Sequence, residues 1–216
     1  MQLSALQRLS KRILTICSLA LFSHFSPAAI FPGNVLITEM MANPAAVSDS
    51  NGEWFEIFNT TSNPIDLNGL HIRDNGSNQH TINTAMPLWI PPRDYFVLGR
   101  NGDSSSNGGY TADYVYSDFT LGNSSDAIIL EFNGSLIDSL IYNSSMFGTP
   151  GNSIEIISGG YALTPANLSY GAGDIGTPGS AGSYTPVAEV PIPAAGWLFI
   201  TALSGVVMAR KRSQNG

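Results

Sequence analysis

Apolar and polar residues alternate along the middle of the chain in short runs bounded by Gly, Pro, Asn and Asp, the pattern of strands that bury one face. Eight such runs predict strands, over residues 35–40, 54–58, 70–73, 95–98, 114–116, 127–132, 136–142 and 153–157. Asn133-Gly134-Ser135 between two of them is a hairpin signal, because Asn-Gly accepts positive φ with little penalty. No stretch of this body carries a helical period with caps, so the expected fold class is all-β, a β-sandwich of two face-packed sheets. The aromatic side chains in these runs are expected in the core rather than on a binding platform, since each buries a large apolar area. Glu39 and Glu56 fall inside strands; facing inward, they would need hydrogen-bond donors or an arginine such as Arg73.

Longer apolar runs occur only at the two ends, and each is flanked like an address. Residues 1–28 have a basic start at Arg8, Lys11 and Arg12, an apolar run over 13–22 and small residues around Ser26-Pro27-Ala28, which predicts a secretory signal peptide cut after Ala28. The single cysteine, Cys17, lies within that run behind bulky Ile16, which disfavours lipid attachment and leaves the mature chain without a thiol or disulfide. At the other end, Val190, Pro191, Ile192, Pro193 and Ala194 precede an apolar run over 194–209 and then Arg210, Lys211 and Arg212. At 1.5 Å per residue that run reaches about 24 Å of a hydrocarbon core roughly 30 Å thick, a short transmembrane helix with the basic cluster on the cytoplasmic side. The expected organisation is therefore a signal peptide over 1–28, a sandwich over 34–184, a linker and sorting segment over 185–193, a membrane helix over 194–209 and a basic tail over 210–216.

Composition sharpens the picture. Only 12% of the 216 residues are charged, against 22 Gly and 13 Pro, so the polar surface is mostly neutral and turn-forming. Outside the two ends stand three basic and sixteen acidic residues, a net of −13. Such a body repels phosphate backbones, which excludes unassisted nucleic-acid binding and suits an exported, soluble surface.

Catalytic chemistry is sparse. After signal removal only His71 and His80 remain, nine residues apart and without zinc-motif spacing; there is no Gly-x-Ser-x-Gly elbow and no Gly-rich phosphate loop with its Lys. No catalytic residue is assigned. The best ligand candidates are acidic loops: Asp49, Asn51 and Glu53 in one, Asp74 in a second and Asp103 in a third offer hard oxygens that suit calcium, although the same residues serve equally to close Asx-turns.

Two family resemblances are carried by these residues. The tail, residues 190–216, resembles the PEP-CTERM sorting signals in their Val-Pro-x-Pro-Ala form, which implies processing by an exosortase-type membrane protease and release to the cell surface or matrix; a plain membrane anchor is the alternative. Ile37-Thr38-Glu39-Met40-Met41-Ala42-Asn43-Pro44, Gly52 to Asn59 and Ile65-Asp66-Leu67-Asn68-Gly69-Leu70 are similar to the opening strands of the lamin tail domain, and Gly134 to Asp138 with Gly176-Thr177-Pro178-Gly179 to its later hairpin and closing turn. Leu70 stands where that family has Trp, and no Arg follows Glu155. The resemblance implies an immunoglobulin-like sandwich in an exported bacterial protein. Its partners would be signal peptidase, the sorting protease, the membrane through the C-terminal helix, and an extracellular protein or polysaccharide bound without catalysis or cofactor. Alternatives are an accessory module of a secreted hydrolase or nuclease system and a calcium-dependent adhesin.

Overall fold

The computed structural model describes residues 29–183 apart from Ser158. The signal stretch 1–28, the sorting residues Val190 to Ala194, the apolar run 194–209 and the basic Arg210, Lys211 and Arg212 lie outside the described residues. Among the described residues no helix is long and apolar enough to cross a membrane.

Fourteen strands follow in order: β1 (Val35–Met41), β2 (Trp54–Asn59), β3 (Ile65–Asp66), β4 (His71–Arg73), β5 (Gln79–Thr81), β6 (Trp89–Ile90), β7 (Tyr95–Gly99), β8 (Tyr114–Val115), β9 (Ser125–Phe132), β10 (Ser135–Asn143), β11 (Ile154–Ile157), β12 (Gly160–Leu163), β13 (Ser169–Tyr170) and β14 (Asp174–Ile175). All eight apolar runs are strands. Missing from the pattern are β3, β5, β6, β12, β13 and β14, two to four residues each and too short for a period to register. The expectation of no helix is corrected by a single turn, α1 (Asp49–Gly52), and a 3-10 turn over Ser144–Met146.

One sheet has the order β12-β11-β1-β2-β7-β8 and the other β10-β9-β4-β5, with the pairs β13-β14 and β3-β6 beside them. Every pairing is antiparallel except β7 with β8. The core joins the inner faces of the two main sheets: Val35, Ile37, Met40, Phe55, Ile57, Phe96 and Leu98 meet Ile72, Ile128, Leu130, Ile137, Leu140 and Tyr142. Leu70, at the family's Trp position, is fully buried in it. The hairpin between β9 and β10 turns at Asn133 (φ 50°) and Gly134 (φ 76°), two positive values in succession that the Asn-Gly pair tolerates.

A bulge decides which way β1 presents its glutamate. Its register with β2 shifts between Ile37 and Glu39, so Val35 and Ile37 point inward, Thr38 is the extra residue, and Met40 again points inward. Strict alternation from Val35 would have driven Glu39 into the apolar core. Instead Glu39 emerges on the outer face of the six-stranded sheet with Met41, Trp54, Glu56 and Val97. That face is not open: residues 164–182 run across it as a strap.

Candidate functional site

The three acidic loops are closed by donors of the chain itself. Asp49 opens α1, where the amides of Asn51 and Gly52 both bond Ser48 O, and its Oδ2 accepts the amide group of Asn123 at 2.8 Å. Asn51 Oδ1 faces Asn101 Nδ2 at 3.5 Å. Glu53, 2% exposed, accepts the Leu121 amide at 3.2 Å and Arg100 Nη1 at 3.3 Å; burial pushes its carboxyl up to about 7 against the opposing pull of those two donors. Asp74 Oδ1 takes the Gly76 amide at 2.7 Å, and Asp103 takes Ser105 N at 3.0 Å and Ser106 Oγ at 3.1 Å. Both are Asx-type turns, and the Ser105 donors hold the Asp103 carboxyl below its usual range. The structure thus brings Asn51 and Glu53 against Arg100 and Asn101 at the start of the loop carrying Asp103, while Asp49 turns to Asn123 and Asp74 closes a separate turn. Among the described residues no three His, Cys, Asp or Glu side chains converge as a metal-ligand group.

The histidines occupy different settings. His71 stands on the outer face of the four-stranded sheet, its Nε2 3.2 Å from Gln79 Oε1 and its Nδ1 3.7 Å from Glu131, which Arg73 binds at 2.6 Å. That arginine bond lowers the Glu131 carboxyl. His80 on β5 bonds Tyr114 Oη on β8 at 2.8 Å and so ties the edges of the two main sheets together; burial pushes it below its ordinary value. Ser117 Oγ lies 3.5 Å from His80 Nδ1, the outer limit for a hydrogen bond, and stands 3.0 Å from Asp118 Oδ2, to which it donates. The hydroxyl's donor is thus turned away from the imidazole, which is not the arrangement of a base-activated nucleophile.

The most constrained ionisable group is one that the sequence presents only in parts. Glu155, Glu39 and Glu56 are direct register partners across β11, β1 and β2, and none is more than 2% exposed. Arg73 does not serve Glu39 or Glu56. Glu39 accepts Ser153 Oγ, the Thr164 hydroxyl at 3.2 Å and the Thr177 amide and hydroxyl; Glu56 accepts Thr38 Oγ1 at 2.7 Å and the Gly179 amide at 2.8 Å. Burial raises both carboxyls, Glu56 to about 8. The strap is fastened elsewhere too. Tyr170 Oη accepts Trp54 Nε1 at 2.9 Å, Asp174 accepts the amides of Ala45 and Ala46 at 3.1 Å, and the Ala172 amide bonds Gly108 O at 2.9 Å. Between the strap and the loop that leads into β8 lies a cleft of about 390 Å³ lined by Tyr110, Thr111, Asn167, Tyr170, Thr177 and Ser180. The signal in the sequence was a Glu inside each of three apolar strands; the cover, more than 100 residues beyond β2, left none.

Exposed large apolar side chains concentrate on strands at sheet edges. Leu136 and Ile141 stand on β10, Tyr161 and Leu163 on β12 and Val115 on β8, each at least 42% exposed. An edge strand presents backbone donors and acceptors that an extended partner can pair with, and the apolar side chains add contact area beside them.

No curated protein matches the chain. The model of the Lamin Tail Domain family matches residues 30–144, from just before β1 to the start of the 3-10 turn. With more than half of its length so matched, and an all-β immunoglobulin-like sandwich built on those residues, the chain belongs to the lamin tail domain family.

Proposed function

We propose that this protein is an exported bacterial surface or matrix protein in which the lamin tail sandwich works without catalysis as a binding or structural module. The observation that carries the reading is the placement of exposed apolar side chains on the edge strands β8, β10 and β12. A protein segment in extended conformation, or a polysaccharide stacked on Tyr161, is the partner such edges suit. Export is supported by the apolar and basic pattern of residues 1–28, and sorting by Val190 to Ala194 followed by an apolar run and Arg210, Lys211 and Arg212. In this reading signal peptidase and an exosortase-type protease act on the two ends, the C-terminal helix holds the membrane at least transiently, and the module carries no cofactor.

The test is the intact mass of the protein recovered from the cell surface or medium. The expected mass lacks residues 1–28 and ends within 190–194. A mass that retains Trp197 and all that follows would replace sorting by permanent anchorage, and a full-length chain confined to the cytoplasm would end the export reading.

A further inference from the structure

The three glutamates on β11, β1 and β2 are stacked as cross-strand partners, a spacing of about 4.5–5.5 Å between Cβ atoms. Ionising neighbours so close, where water is excluded, costs repulsion that exposed pairs escape. No cation among the groups that face Glu39 and Glu56 relieves it: Glu155 comes from β11, Tyr95 from the start of β7 and Tyr170 from the strap, while Ser153, Thr38, Thr177 and Gly179 donate hydrogen bonds that favour the ionised carboxyls and offset only part of the cost of burial. Arg73 and Arg100 are engaged by Glu131 and Glu53, and neither Glu39 nor Glu56 has a basic partner among the described residues. What closes over the stack is residues 177–182: Thr177 bonds Glu39, Gly179 bonds Glu56, and a Cβ at Gly182 would lie 2.7 Å from the Glu155 carboxyl.

We propose that residues 177–182 form an acid-tightened clasp: a proton held by the Glu39–Glu56 pair keeps the segment closed on the six-stranded sheet, and loss of that proton as the pH rises loosens it. The sign follows from linkage. In the closed form Glu56 holds its proton up to about 8, whereas an exposed glutamate in the opened form releases it near the ordinary 4.5. Between those values opening expels a proton, so each unit of rising pH eases opening by at most about tenfold per proton; above the higher value both forms are ionised and the dependence ends.

Hydrogen exchange of the full chain, read by mass spectrometry between about pH 5 and about pH 9 and corrected for the intrinsic exchange rate, tests this. The peptide holding the Thr177 and Gly179 amides should open more than about tenfold further by pH 8 than at pH 5 and then level off, while the peptide holding Ile128 to Leu130 of β9 stays protected. Glu56→Gln, which keeps an acceptor for the Gly179 amide but cannot ionise, should flatten the rise; Glu39→Gln provides the same test should the first variant not fold. A flat profile in the native chain, a rise undiminished in both variants, or an equal rise in β9 would overturn the clasp.

Discussion

Trp54 is the residue through which the strap's contribution to the fold can be weighed. It is fully buried on the outer face of the six-stranded sheet among Met41, Val97, Tyr110 and Tyr170, outside the main core. Its ring meets Tyr170 edge-on, centroids 6.0 Å apart at 76°, and its Nε1 donates to Tyr170 Oη at 2.9 Å. Trp54→Phe deletes that bond, about 1 kcal/mol, and part of the ring's packing, roughly another 1–2 kcal/mol. Tyr170→Phe deletes the same bond from the other side and leaves its ring, about 1 kcal/mol. Because both remove one shared bond, the double variant should cost about 1 kcal/mol less than the sum of the singles. Urea and thermal unfolding followed by far-ultraviolet circular dichroism would read this; for a domain of this size each kcal/mol moves the midpoint by about 2–4 °C. Additivity within about 0.3 kcal/mol would mean that the strap does not rest on Trp54, and the account of the covered face would fail with it.

Gly171→Ala should destabilise by about 2–4 kcal/mol, because its φ is 45° and a Cβ would lie 2.1 Å from Gly108 O and 2.6 Å from Gly109 Cα. Gly134→Ala is the control: φ is 76° but no atom lies within 4 Å, so only backbone strain of about 1 kcal/mol is expected, and equal losses at the two sites in an unfolding titration would contradict the packing argument. Since Asp49, Glu53, Asp74 and Asp103 already accept donors of the chain, the melting midpoint should be the same in calcium and in chelator; a rise with calcium would show a native-state site at these loops.

The sequence by itself determined what is local. Apolar-rich runs of five or more residues mark β1, β2, β9 and β10, since a strand pattern needs several positions to stand out, and Asn133-Gly134 marks its hairpin because few other residues take positive φ. It singled out Glu39 and Glu56 as polar groups in apolar strands that would require partners, and placed Asp74 and Asp103 in turns that their own side chains can close. What it did not carry was the direction of Glu39, which a one-residue bulge at Thr38 decides, or the identity of its partners. Ser153, Thr164 and Thr177 reach it from 114 to 138 residues away. Burial of a carboxyl is a property of what covers it, and the cover here is Thr177-Pro178-Gly179-Ser180-Ala181-Gly182, a segment that, read alone, has no reason to lie anywhere in particular; only the packed tertiary structure supplies the surface that holds it.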